Sequence, residues 1–367
     1  MNKNITIIGI GRLGLCMCLC LESKGYNVLG IDTDKKYIDK INKKTLQSFE
    51  PSVEDYLKKS KNFIATKDLQ KGLEHSNLIF IYVPTPTKKG ENNYDDTILC
   101  DVLKSINKFK VENKNIIIGC TIYPTFTKNK GICLLSDCKN TNLIYNPEFI
   151  AQGDIMNGIY NSDIVLIGAE NKKNINFLEN IYRDISPSSK ICIMSTIEAE
   201  ITKLSINCFI TTKICFANLI GDIADKSNCD PGIILETIGI DSRIGNKCLK
   251  YGYGYGGPFF PRDNRVLDYY SHEIGIKNIL SHTIDVSNSL HLEYQFEKIK
   301  NQNINYLFED VCYKDNCKVP IIEESQKLAL AEQLAKTKHM VTIFDYPHII
   351  EKVKEKYGNI FLYKIRE

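Results

Sequence analysis

The sequence predicts an α/β protein in three parts: a doubly wound parallel sheet, a central helical region and a small C-terminal α/β domain. Three observations carry this. Short apolar runs alternate with helical periodicity over the first half of the 367 residues. Residues 197–226 then hold helical periodicity with no proline and one internal glycine, Gly221. From Ile304 the alternation of short apolar runs and helices resumes. The expected divisions are 1–195, 196–300 and 301–367, within the usual domain sizes.

Taken in order, residues 5–8 read as a buried strand, 13–24 as a helix, 27–31 as a second strand and 35–43 as a charged helix. Residues 78–83, 115–119 and 142–145 are further short apolar runs. Alternating βα units imply a parallel sheet covered by helices on both faces, ending near Met194. The run 197–226 exceeds the average globular helix and suits a connector or a dimer seam. The helical region continues to about Ile299, broken by the glycine-rich segment 251–263. In the last part, strands are expected at 306–308, 340–344 and 359–363, and helices at 324–336 and 348–357.

Composition excludes several classes. Hydrophobic residues make up 43% and charged residues 25%, as in ordinary soluble globular proteins. A net charge of +3 is too small to argue for nucleic acid or a membrane surface. No unbroken apolar run reaches the roughly 18–20 residues of a membrane span. The start of the chain leads straight into a strand and glycines, unlike a signal peptide, so a cytoplasmic location with reduced thiols is expected. The 14 cysteines include no Cys-x-x-Cys pair, which argues against a metal site. Cys16, Cys18 and Cys20 fall in a predicted helix, with Cys18 pointing away from the other two, and read as small core hydrophobes.

The first strand runs into Gly9-Ile10-Gly11-Arg12-Leu13-Gly14. This is a G-x-G-x-x-G between a strand and a helix, the Rossmann-like context. The first glycine allows the tight turn, the second lets backbone approach a pyrophosphate, and the third lets helix and strand pack closely. The helix N-terminus offers N–H groups and positive partial charge to phosphates. Asp32 follows the second strand, 18 residues after Gly14. A carboxylate there bonds a ribose 2′-hydroxyl and repels a 2′-phosphate, favouring NAD over NADP.

Four further segments resemble the UDP-glucose/GDP-mannose dehydrogenase family. They are Val83-Pro84-Thr85-Pro86-Thr87; 145–153, which reads Tyr-Asn-Pro-Glu-Phe-Ile-Ala-Gln-Gly; Glu198-Ala199-Glu200-Ile201-Thr202-Lys203 continuing to Asn207 and 212–214; and 241–245 followed by 254–263. Their order and spacing match from residue 1 to about residue 300. The residues could do this chemistry unaided. Lys203 and Asn207 are i and i+4 on one helix face. An ammonium and an amide there can polarise a sugar hydroxyl and stabilise the oxyanion formed as hydride leaves. Asp263 can hold that lysine or a bridging water, and Glu148 or Thr121 can complete a proton relay.

The resemblance implies the rest. Lys203, Asn207, Asp263, Thr121 and Glu148 would be the working positions. Gly9, Gly11, Arg12, Leu13, Gly14, Asp32, Val83, Pro84, Thr85 and Thr121 would bind NAD. Phe149, Ile150, Lys203, Asn207, Arg243, Tyr253, Tyr255, Gly256, Gly257 and Phe259 would meet a UDP- or GDP-sugar. The segment 253–257 resembles the loop that wraps the sugar nucleotide. The arginine matching Arg243 reaches the substrate from a neighbouring subunit, which implies a homodimer built on the long helix. A link to capsule or other polysaccharide synthesis rests on the resemblance alone.

The sequence also departs from that pattern. Family members that make uronic acids carry a cysteine where this chain has Phe259, and a lysine where it has Arg262. That cysteine adds to the aldehyde after the first hydride transfer, and a second oxidation leaves a thioester for water to cleave. Cys248, eleven residues earlier, is a poor substitute. Three readings stay open. One is a single two-electron oxidation of a hexose or heptose, ending at an aldehyde or ketone. Another is a four-electron oxidation to a uronic acid through a hydrated aldehyde. The third is a non-catalytic sugar-nucleotide binder. In the last domain, Asp310 stands where a glycine is usual. The stretch Glu323-Glu324-Ser325-Gln326 replaces one resembling Arg-Glu-Ser-Pro, so UDP and GDP both remain.

Overall fold

The computed structural model describes residues 3–88, 90–171, 175–302 and 305–366. These form two compact units, with the division between Lys203 and Leu204. Ile304, where the sequence restarts its α/β pattern, lies outside the described residues.

The first unit is built on an eight-stranded sheet: β1 (Asn4–Ile8), β2 (Asn27–Ile31), β3 (Phe63–Thr66), β4 (Leu78–Ile81), β5 (Asn115–Ile118), β6 (Asn142–Tyr145), β7 (Ile164–Gly168) and β8 (Lys190–Met194). Their order is β3-β2-β1-β4-β5-β6-β7-β8. Strand order reverses between β1 and β4, the switch point at which doubly wound sheets bind ligands beyond the strand carboxyl ends. The inner strands are nearly all isoleucine, leucine and phenylalanine, because both faces are buried. Ile5, Ile7, Ile79, Ile81, Ile116 and Ile118 are fully buried.

One pairing differs from an all-parallel sheet. β6 and β7 run antiparallel and meet at Tyr145↔Gly168. A Cβ on Gly168 would lie 2.7 Å from the Ala199 Cβ, so the end of β7 is shaped by the start of the long helix. The helix Arg12–Ser23 carries all three of its cysteines fully buried, in line with their reading as small core hydrophobes. The helix Ile155–Tyr160 packs against this helix.

The long helix is Thr196–Lys226. By length and composition it is apolar enough to cross a membrane, with 39% of its most apolar window buried. This qualifies the expectation from unbroken apolar runs. The same helix buries Glu200, Lys203, Asn207, Thr211 and Asn218, polar groups that are costly in lipid.

In the second unit, helices Pro231–Ile240, Phe260–Glu273 and Leu280–Ile299 follow. Strands β9 (Asn305–Glu309), β10 (Met340–Asp345) and β11 (Leu362–Ile365) then form a parallel sheet in the order β11-β10-β9. Helices Gln326–Lys336 and Pro347–Tyr357 connect them. Ser325 caps the first by accepting from the Leu328 amide, which moves its start two residues beyond Glu324. Asp310, which the sequence resemblance sets where a glycine is expected, has φ +51. The turn after β9 requires left-handed backbone, which glycine adopts freely and aspartate tolerates.

Candidate active site

The glycine turn has the shape that its sequence implies. Gly9 has φ +84, and its amide donates to the Ile31 carbonyl at 2.8 Å. A Cβ there would lie 2.4 Å from the Tyr82 carbonyl oxygen, and one on Gly14 would lie 2.0 Å from the Gly9 oxygen. Gly11 is the contrast: among the described residues nothing lies within 4 Å of where its Cβ would be. Gly11 and Arg12 are exposed and Leu13 is half-buried. Among the described residues no side chain caps the helix Arg12–Ser23, which leaves its first-turn amides for a partner from outside the helix. Space, free donors and the helix dipole coincide, which fits a pyrophosphate.

Asp32 and Asp34 divide the work after β2. Asp34 accepts from the Lys36 and Tyr37 amides and caps the next helix. Asp32 is half-buried, and its carboxylate takes the Asp34 amide at 3.1 Å, which leaves further acceptor positions for a ribose hydroxyl. Beyond β4, Val83 and Thr85 are buried and Pro84 is exposed. The Thr85 hydroxyl donates to the Thr121 carbonyl at 2.7 Å, tying the loops after β4 and β5 together. Arg12 reaches across to the side-chain oxygen of Gln152, so the glycine turn is also bonded to the segment after β6.

That segment holds Glu148 among tyrosines. The Tyr182 hydroxyl lies 2.8 Å from Glu148 Oε1 and 2.6 Å from Asn146 Oδ1. Tyr82 lies 3.4 Å from the same Glu148 oxygen. Burial pushes the Glu148 carboxyl above the usual carboxylate range, while the Tyr182 bond, the Lys203 charge and the Tyr82 bond pull it down. Lys203 is buried; its Nζ donates to the Glu148 carbonyl at 2.7 Å and sits 4.3 Å from the Phe149 ring centre. Ile150 packs against Gly158, where a Cβ would come within 3.0 Å. Glu200, one turn before Lys203, accepts the Thr125 and Thr127 amides at 2.5 and 3.0 Å. It thereby anchors the loop that follows Thr121.

In the second unit, Asn207 donates to Asp263 Oδ2 at 2.6 Å, and Arg262 Nε donates to Oδ1 at 3.1 Å. Asp263 is completely buried. Phe259 precedes the helix Phe260–Glu273, and the Arg262 guanidinium lies 5.4 Å from its ring centre. The Cys208 thiol contacts the Asp263 carbonyl at 3.5 Å, and burial pushes its pKa well up.

The segment 253–257 is packed against protein. Asn288 brackets Tyr255 by accepting its amide at 2.9 Å and donating to its carbonyl at 3.0 Å. The Tyr255 hydroxyl donates to Asp285 at 2.6 Å. Tyr255, Gly256 and Gly257 are buried, while Tyr253 is 40% exposed. Arg243 is exposed and held by Asp241, with Nη2 to Oδ2 at 2.6 Å. Glu324, in the Arg-to-Glu stretch, accepts Arg265 through both oxygens at 2.8 and 2.9 Å, and Arg265 Nε reaches Asp285 at 2.9 Å.

Sequence reasoning missed Tyr82, Tyr182, Glu200 and Arg265. Glu200 lay inside a quoted motif, and a carboxylate at a helical position facing the core was its signal. Tyr82 and Tyr182 gave none, since tyrosine next to an apolar run reads as core.

Comparison with known proteins agrees with this geometry. Residues 3–186 match the NAD binding domain of the UDP-glucose/GDP-mannose dehydrogenase family, and residues 197–289 match the central domain of that family. A UDP-glucose 6-dehydrogenase of Bacillus subtilis is 33% identical over 275 residues, covering 72% of this chain. The chain spans 61% of that relative's length. A UDP-glucose dehydrogenase structure from Pyrobaculum islandicum superposes with a TM-score of 0.90 at 21% identity, over 99% of this chain and 86% of that one. A UDP-D-ManNAc dehydrogenase structure from Pyrococcus horikoshii gives 0.80 at 22%, over 93% and 83%. At those identities the two structures speak for the fold.

Proposed function

The chain belongs to the UDP-glucose/GDP-mannose dehydrogenase family, and from that premise we propose that it is an NAD-dependent enzyme that oxidises a nucleotide-activated hexose or heptose in one two-electron step. The product is an aldehyde or a ketone. NAD, when bound, supplies the hydride acceptor. The glycine turn and Asp32 hold its pyrophosphate and ribose. The hydroxyl of the reacting carbon gives up its proton to Glu148, directly or through a relay by the Thr121 hydroxyl, while hydride leaves the carbon. Lys203 and Asn207 stabilise the oxygen as charge develops on it. Asp263, bonded to Asn207, fixes the orientation of that amide.

What supports the two-electron reading is Phe259, which the motif resemblance sets where the family's nucleophilic cysteine is expected, with Arg262 over its ring. A thioester needs a thiolate. Cys208, the thiol in contact with Asp263, is buried and resists ionisation. Cys248 is exposed with φ +59 on the approach to the glycine segment. A secondary alcohol has no acid to go on to, so an enzyme acting on one has no use for the cysteine.

The proposal extends to assembly and context. The domains at 1–195, 196–300 and 301–367 would bind NAD, mediate dimerisation with part of the substrate contacts, and hold the nucleotide. Phe209, Phe216, Leu219 and Ile223 on the long helix are all at least 45% exposed. Their 7-3-4 spacing suits a seam with a second copy. Arg243 would then serve its neighbour's site. A cytoplasmic role in polysaccharide precursor synthesis, including capsule, fits the same reading.

The test is the yield of NADH per sugar with UDP- and GDP-hexoses and heptoses, with mass spectrometry of the product. One NADH and a carbonyl product are expected. Two NADH and an acid product mean that water does the work of the cysteine. Binding of NAD and sugar nucleotide without turnover leaves a binding protein.

A further inference from the structure

We propose that Tyr182 is a positioning residue that lets Glu148 change protonation state without moving. This rests on the reading of Glu148 as a proton acceptor. A tyrosine hydroxyl has one proton to donate and can also accept. Tyr182 faces two acceptors, Asn146 Oδ1 at 2.6 Å and Glu148 Oε1 at 2.8 Å. It cannot donate to both at once.

The orientation of Asn146 decides what this means. Its Nδ2 donates to the Leu166 carbonyl at 2.8 Å, so its Oδ1 must be the atom turned to Tyr182. Asn146 is buried, and its oxygen is a fixed acceptor. While Glu148 is a carboxylate, Tyr182 donates to it. Once Glu148 has taken a proton, it donates that proton to the Tyr182 oxygen, and Tyr182 turns its own proton to Asn146. Each state keeps the buried carboxyl bonded, and no heavy atom has to move. An enclosed carboxyl without such a partner would lose a hydrogen bond in one of its two states, at the full cost of desolvation.

The other groups facing Glu148 do not provide this. Lys203 donates to its backbone carbonyl, and its charge favours the carboxylate only. Tyr82 stands at 3.4 Å, held in place because Gly119 has no side chain; a Cβ there would lie 2.1 Å from the Tyr82 ring. Cys20, on the helix Arg12–Ser23, feels the Glu148 charge. Tyr182 sits on the helix Asn176–Ile185, within the hydrophobic cluster that covers one face of the sheet. Its ring is fixed by packing and only the proton is mobile.

The test is an infrared titration of the full chain without substrate, with the Glu148 carboxyl band identified by its loss in Glu148→Gln. In Tyr182→Phe the midpoint of that band should move up by about one pH unit, because both forms lose a hydrogen bond and the one lost by the charged form is the stronger. In Tyr82→Phe it should move up by less. An unmoved midpoint in Tyr182→Phe, or a larger shift in Tyr82→Phe, overturns the proposal. Unmodified protein gives a second reading that survives a variant that fails to fold. A tyrosine C–O band should change in step with the carboxyl band, and a carboxyl that titrates alone overturns the relay. NADH production by the unmodified protein tests the dehydrogenase reading separately. Turnover with an unmoved Glu148 midpoint defeats the relay alone, and no turnover with a shifted midpoint defeats the dehydrogenase reading alone. With turnover established, Tyr182→Phe should shift the acidic limb of kcat/KM upward and leave KM for NAD unchanged.

Discussion

Two glycine-rich segments in this chain look alike in sequence and differ in what occupies the space of their missing side chains. At the turn after β1, Gly9 and Gly14 are required by neighbouring backbone, but Gly11 opens on empty space. In the second unit the empty positions are filled by the protein itself. A Cβ on Gly254 would lie 2.2 Å from Asn288 Oδ1, on Gly256 2.2 Å from the Glu324 carbonyl, and on Gly257 2.4 Å from the Tyr313 ring. Glycine clearance marks a ligand position only where nothing in the chain already fills it. The first segment is a cradle with one free position. The second is a packing joint that fixes Tyr253 and Phe259 at its two ends.

Substitution separates the two kinds of glycine. Gly256→Ala should have the largest effect, because backbone rather than a flexible side chain occupies the position. A stability loss of about 1–3 kcal/mol is expected from overpacking, seen as a lower midpoint in urea, with the affinity for NAD unchanged. A stable Gly256→Ala protein with weakened sugar-nucleotide binding would mean that the segment opens for its ligand, and the contrast would fail. Gly11→Ala should do the reverse. Gly11 has φ −60 and ψ −160, backbone that alanine adopts, so the urea midpoint should hold. The added methyl occupies the pyrophosphate approach, and NAD affinity should fall about tenfold or more, some 1.4 kcal/mol. Isothermal titration with NAD measures it, and undiminished affinity removes Gly11 from the cofactor site.

The same contrast explains what could be read in advance. The turn after β1 was legible because its demands are local: a strand, three glycines at fixed spacing and a helix dictate one geometry. The doubly wound, largely parallel character of the first unit's sheet followed from the alternation of strands and helices. The second segment was not legible, because the atoms that fill its glycine positions come from Asn288, Tyr313 and Glu324, distant in sequence. Tyr182 reaches Glu148 from 34 residues away and gave no local signal for the same reason. The antiparallel contact of β6 with β7 escaped too, since the side-chain pattern of a buried strand does not encode its direction. Asp310 was legible as a departure, and its φ supplied the cause.

A smaller effect is expected at the ribose position. Asp32→Asn keeps the shape and removes the charge. NAD affinity should fall several-fold to about tenfold, the range of an ordinary hydrogen bond, because asparagine keeps one acceptor oxygen, while binding of NADP should improve because a 2′-phosphate is no longer repelled. The ratio of the two dissociation constants is the measurement. An unchanged ratio would mean that another group sets cofactor choice, and that the division of labour between Asp32 and Asp34 is wrong.

The smallest effect belongs to Asp310, where two terms oppose each other. The left-handed backbone at φ +51 costs aspartate more than glycine, so Asp310→Gly relieves strain of about 1 kcal/mol. The same change makes the unfolded chain more flexible, which disfavours folding by a similar amount. It also removes a 2.7 Å ion pair with Arg366, in which both side chains are partly exposed, a contact worth about 0–1 kcal/mol. The net change in stability should stay within about 1 kcal/mol. Because Arg366 also stacks on Phe344 and Tyr346, it should remain in place without its partner. Urea unfolding of Asp310→Gly beside Arg366→Ala distinguishes the terms. Loss of more than about 1 kcal/mol in both variants would mean that the aspartate holds the end of β11 through Arg366, and that the turn after β9 is a packing joint like that at Gly256.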